Sequence, residues 1–121
     1  MALYDNLPVF KVSYEILRQI YRICSTMERS FRFTLGERMQ NDTIDMLKNI
    51  YRANSKYDKG QHIEVAREHL EVVRLLMRVA HDEDQVTMKK YIEICEKLES
   101  VSKQLTAWFK SLRLPDDQGH K

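Results

Sequence analysis

The chain has 121 residues, a length at which one compact domain hides roughly two thirds of its unfolded surface. Its 43% hydrophobic and 31% charged content is that of a globular protein, not a disordered chain or a membrane span, and three glycines and two prolines leave few helix breakers. That scarcity predicts an all-α fold and works against sandwiches, barrels and nucleotide-binding folds with glycine-rich loops. The net charge of +2, near +3 in the first half and −1 in the second, is too small to identify a partner by itself.

The first helix is expected over about 8–28, with Pro8 in its opening turn and Val9, Ile16, Ile20, Ile23 and Met27 on one side. Residues 30–36, SFRFTLG, break the period, and Thr34 with Glu37 forms a T-x-x-E capping box that predicts a second helix over about 35–58. Its core side carries Leu35, Met39, Met46, Leu47, Ile50 and Tyr57, with Asn54 as a polar exception, and Gly60 marks its end. A third helix spans about 61–81, after which the acidic run 82–84 makes a turn with a D-x-x-Q cap from Asp82 to Gln85.

The fourth helix, about 85–113, is the most regular: Tyr91, Leu98, Leu105 and Leu112 recur every seven residues, interleaved by Ile94, Val101 and Trp108. A repeat of seven is slightly shorter than two helical turns, so this helix wraps left-handed around its neighbours. Leu114-Pro115 is expected to stop it, leaving 115–121 as a tail. Short connections between long helices favour antiparallel neighbours, hence a single domain over 1–121 built as an up-down-up-down four-helix bundle.

Catalytic signatures are sparse. A carboxylate-bridged dimetal bundle needs Glu-x-x-His pairs, and no histidine has Glu three residues before it; Asp117 and His120 have the related spacing, in the predicted tail. His62 and His69 are seven apart and share a face, but without converging carboxylates they read as structural. Cys24 and Cys95 have no CxxC partner and fall on apolar faces, where a thiol behaves as a small hydrophobe. The N-terminal MALYDNLPVF has neither a basic nor an apolar signal region, so a cytoplasmic protein with reduced thiols is expected. The methionines and tyrosines read as bundle filler and rim. The expectation is a noncatalytic chain with no metal, no cofactor and no membrane partner.

The positive signal is a stripe of cations. Lys11, Arg18, Arg22 and Arg29 are separated by seven, four and seven residues and stay within about 20° of one line on a helix, opposite the apolar face. Arg67, Arg74 and Arg78 repeat the device at seven and four, flanked by Glu64, Glu68 and Glu71. Such rows suit phosphate backbones, because guanidinium forks donate to phosphate oxygens and displace condensed counterions. They also suit an ordinary solvated face, since Glu15 interrupts the first row and Glu71 is spaced to pair with Arg67 or Arg74.

The third helix adds a surplus of apolar surface: Val65, Leu70, Val72, Val73, Leu75, Leu76, Met77 and Val79 cover more than the stripe of about 100° that one core requires. Either this helix is the most central of the four, or a second copy of the chain buries the excess.

The segment FRFTLGERMQNDTIDMLKNIYRANS at 31–55 resembles the one that opens the second helix of the accessory variability determinant proteins of diversity-generating retroelements. VVRLLMRVA at 72–80 and YIEICEKLESVSKQLTAWFKS at 91–111 resemble that family's third and fourth helices, so the likeness covers about 8–113. Its motifs are Thr-Leu-Gly-Glu at 34–37, the Arg74 and Arg78 pair, and Trp-Phe-Lys at 108–110. Bundle proteins encoded in intervening sequences of 23S ribosomal RNA genes are more distantly similar. The resemblance implies a ring-like homopentamer that binds nucleic acid through basic surface; the expected ligand is RNA or an RNA/DNA hybrid, held without sequence readout because no aromatic-platform module or base-reading motif is present. It also implies association with the element's reverse transcriptase in mutagenic copying, with Arg74 and Arg78 facing the inside of the ring. The alternative is a structural oligomeric adaptor that holds protein partners and binds no nucleic acid.

Overall fold

The computed structural model describes residues 6–55 and 57–119, with side chains described as far as Leu112. Among the described residues there is no strand; four helices pack around one apolar cluster. Helix α1 is Pro8–Ser25; α2 covers 29–55; α3 is Lys59–Asp82; and α4 is Met88–Gly119. Each packs on its chain neighbours, and α1 closes the bundle against α4, which leaves α1 and α3 diagonally opposed.

Helix α1 starts as its proline predicts but stops three residues early. The hydroxyls of Ser25 and Thr26 donate to the carbonyls of Arg22 (2.7 Å) and Ile23 (2.9 Å), and the N–H groups of Thr26 and Met27 close the last turn. These local bonds offer the backbone an alternative to a further helical turn. Arg29 therefore opens the next helix instead of ending the first.

Helix α2 begins before the expected capping box. Glu28 is its N-cap residue, and the chain passes through one α-turn, Arg29–Phe31, and a π-helical stretch, Arg32–Gly36, into Glu37–Ser55. Thr34 caps nothing: its hydroxyl donates back to the carbonyl of Ser30 at 2.6 Å, inside the helix. The broken period at 30–36 is real, but a widened turn causes it, not a loop. Partly buried Phe31 and Leu35 thereby reach the same core as buried Met39, at steps of four and four. Gly36 allows a close approach here, because an added Cβ would stand 3.0 Å from Cys24 Sγ and push the thiol back by a few tenths of an ångström. The α1/α2 seam is that close.

Helix α2 ends at Ser55, so Tyr57 lies outside it and is fully exposed instead of lining the core. The Lys59 ammonium donates to the carbonyls of Ala53 (2.9 Å) and Asn54 (3.2 Å), closing the end that Gly60 was expected to mark. Gly60 itself belongs to the first turn of α3.

At the far end of α3, Asp84 takes a φ of 61° and the N–H of Gln85 reaches back to Ala80 at 2.8 Å, the left-handed closure that more often uses glycine. Asp82 makes no cap with Gln85. The Gln85 carboxamide instead bridges two turns, donating to the carbonyl of Glu83 and accepting the N–H of Glu28 at 2.8 Å. Thr87 caps α4 by accepting the N–H of Lys90 at 3.3 Å. The helix then continues through Leu114-Pro115 to Gly119, so the proline does not terminate it. Proline removes one backbone donor and crowds the preceding turn, a cost that a helix near its end can bear without breaking. Of the expected tail, 120 and 121 lie outside the described residues.

The seam of α4 is as expected, with Ile94, Leu98, Val101 and Leu105 buried and Tyr91, Trp108 and Leu112 packed at its rim. Across from it, Ile16, Ile20, Met46, Ile50, Ile63, Leu70 and Met77 are also buried; each such side chain contributes about 1.5–3 kcal/mol relative to exposure. The α2/α3 seam differs because it carries two polar rungs. His69 Nδ1 meets the buried carboxylate of Asp42 at 2.9 Å, and Arg38 Nε donates to the other oxygen at 3.0 Å. His62 Nδ1 lies 3.4 Å from Asn49 Oδ1, and its Nε2 is 3.5 Å from Asp58. The partners are seven residues apart on both antiparallel helices.

Candidate nucleic-acid interface

The two cation rows lie on diagonally opposed helices, so the fold does not merge them into one surface on a single chain. On α1, Lys11, Arg18 and Arg22 are exposed and point away from Ile16, Ile20 and Ile23. Among the described residues no carboxylate comes within 4.0 Å of their charged atoms, that of Glu15 included. Arg29, counted with them by spacing, stands at the start of α2 with its guanidinium 5.5 Å over the Phe33 ring.

The row on α3 is tied down. Arg67 pairs with Glu64 at 3.2 Å and lies 5.8 Å over the Phe109 ring of α4. Arg74 Nη2 donates to Glu99 of α4 at 2.9 Å, and its Nε is 3.8 Å from Glu71, too far for a hydrogen bond. Arg78 alone in this row is exposed with no carboxylate inside 4.0 Å among the described residues. It lies near the half-buried Tyr91, which stacks on His81 with ring centroids 4.4 Å apart. Burial pushes the Tyr91 phenol above its ordinary value, Cys95 adds to the rise, and the positive charge of Arg78 opposes it.

The apolar surplus of α3 divides in two. Leu70, Val73 and Met77 are buried, whereas Leu75 is 61% and Val79 37% exposed on the outer side.

Sequence reasoning treated the tyrosines as rim residues and so missed a groove between α1 and α2. It is about 400 Å³ in volume and lined by Phe10, Tyr14, Leu17, Ile44, Leu47, Lys48 and Tyr51. Tyr14 is 52% and Tyr51 46% exposed. A readable signal existed: Tyr14 and Tyr21 follow Lys11 and Arg18 by three residues each, which makes them same-face neighbours of the cations.

His62, His69 and Cys24 have structural partners. His62 and His69 are held by Asn49, Asp58 and Asp42, and the described residues contain no group of three or more potential metal ligands. His120 lies outside the described residues. Cys24 is buried against Gly36, its Sγ 3.6 Å from that carbonyl. Burial raises its pKa, with a hydrogen bond from Gln40 opposing, so little reactive thiolate forms. No helix among the described residues is long and apolar enough to cross a membrane.

Comparison with curated proteins returns no match. The family model for bAvd-like proteins, by contrast, matches residues 9–112, which takes in all the cation positions and the whole apolar seam. The chain belongs to the bAvd-like family, named for the accessory variability determinant of diversity-generating retroelements.

Proposed function

We propose that this protein is a noncatalytic, nucleic-acid-binding accessory factor of a diversity-generating retroelement. In this reading it forms a homopentamer in the cytoplasm, binds RNA or an RNA/DNA hybrid through its phosphates, and associates with the element's reverse transcriptase. Family membership supplies the setting. The observation that carries the chemistry is the set of exposed cations, Lys11, Arg18, Arg22 and Arg78, with no carboxylate within 4.0 Å among the described residues. A cation already neutralised by a neighbour gains little from a phosphate, whereas a free one releases counterions when it meets the strand. Arg67 and Arg74 contribute second, because a phosphate must first compete with Glu64 and Glu99.

Binding of a labelled short RNA, followed by anisotropy over a salt series, tests this reading. The logarithm of the affinity should fall linearly with the logarithm of salt, at about 0.7 per phosphate contact of a single strand. Failure to bind at low salt, or a flat salt response, overturns it.

The ring assembles through the outer side of α3, where Leu75 and Val79 stand in solvent on a single chain. Light scattering should give five times the chain mass, with Leu75→Asp shifting it to smaller species; a monomeric wild-type protein refutes the ring. The exposed pair equally favours an oligomeric adaptor for protein partners. A pentamer that ignores RNA at low salt would decide for that alternative.

A further inference from the structure

Beside the unpaired cations of α1 runs the aromatic groove it forms with α2. On α1, Tyr14 lies three residues after Lys11 and four before Arg18, and the exposed Tyr21 three after Arg18. On α2, Lys48 and Arg52 flank Tyr51 and are both exposed. The floor is apolar, made by Phe10, Leu17, Ile44 and Leu47. Phosphate binding alone needs no aromatic rings, and a core needs none half in solvent. A strand with unpaired bases matches the arrangement, because each nucleotide brings one flat apolar group and one anion. From Lys11 to Arg22 the row spans roughly 16 Å along the helix, the length of about five phosphates of a stacked strand.

We propose that the α1/α2 groove is a stacking site for unpaired bases of single-stranded nucleic acid, with Tyr14 and Tyr51 as the platform and Lys11, Arg18 and Arg22 holding the phosphates. This rests on the reading of the protein as a nucleic-acid binder and adds what that reading lacks: a preference for single strands over duplex and a contact to the bases. Stacking is tolerant of sequence, since every base has a π-face, so the site still makes no sequence readout.

The test compares three labelled ligands of equal length: a single-stranded RNA, its duplex, and an abasic strand with the same backbone charge. The wild-type protein should hold the single strand about tenfold tighter than the abasic strand. Tyr14→Ala with Tyr51→Ala should remove that margin and leave abasic-strand affinity and helical content at the assay temperature unchanged, while Tyr14→Phe with Tyr51→Phe should retain it. Equal affinity of the wild-type protein for RNA and abasic strand overturns the stacking site and leaves phosphate binding standing. No binding of any strand removes both. An acidic amphipathic peptide that outcompetes the RNA, and loses affinity in the double alanine variant, assigns the groove to a protein partner and also overturns the proposal.

Discussion

Helices α1 and α3 carry cations at the same spacing, seven and then four, yet hold them in opposite states. The apolar residues of α1 are gathered on one side, so Lys11, Arg18 and Arg22 fall opposite the core and face water with no partner. Helix α3 is apolar around most of its circumference, which pushes Arg67 and Arg74 to the border with α4, within reach of Phe109 and Glu99. Identical periodicity thus describes a free row and a tethered one. The width of the apolar face decides which, because it sets how far a charged side chain stands from the next helix.

Three measurements bear on this contrast. Reversing the free row with Arg18→Glu and Arg22→Glu should have the largest effect, lowering RNA affinity more than about tenfold and making the salt slope shallower by about 1.4. The helical content in circular dichroism should not change, since both side chains are exposed. Arg74→Ala with Arg78→Ala should lose less, with a slope change of about 0.7, because only Arg78 starts unpaired. A larger loss from this pair than from the α1 pair would invert the comparison and favour the interior of a ring as the main contact. Glu99→Gln should act least and in the other direction. Freeing Arg74 should raise RNA affinity about twofold, while the loss of a half-exposed pair should shift stability by no more than about 0.5 kcal/mol.

The bundle was legible where burial alone chooses the residue. Ile16, Ile20 and Ile23 of α1 and Ile94, Leu98, Val101 and Leu105 of α4 are buried as their period predicts. The errors arose where a local motif has two physical outlets. Thr34 with two intervening residues before Glu37 reads as a cap, but a threonine hydroxyl satisfies itself equally well on the carbonyl four residues back, and the close packing of Gly36 on Cys24 favours the widened turn. Pro115 marks a weakened hydrogen-bond ladder, not an obligatory end. The candidate site was half legible. Spacing found the cations, but the pairing of Arg74 with Glu99, 25 residues away, depends on the register between two helices, and no single-helix pattern contains it. The α1/α2 groove likewise needs both helices before Tyr14 and Tyr51 line one space.

The two polar rungs of the α2/α3 seam act as a vernier. An apolar seam tolerates a slide of one helical turn, since one methyl group fits much like another. Here the same slide would set Val65 or Val73 opposite Asp42, leaving the buried carboxylate with Arg38 alone and one hydrogen bond short, at a cost of about 1.5 kcal/mol. Asn49 would lose His62 in the same movement. Only one alignment engages both marks at once, and it holds α2, with Lys48, Tyr51 and Arg52, at a single height along the bundle.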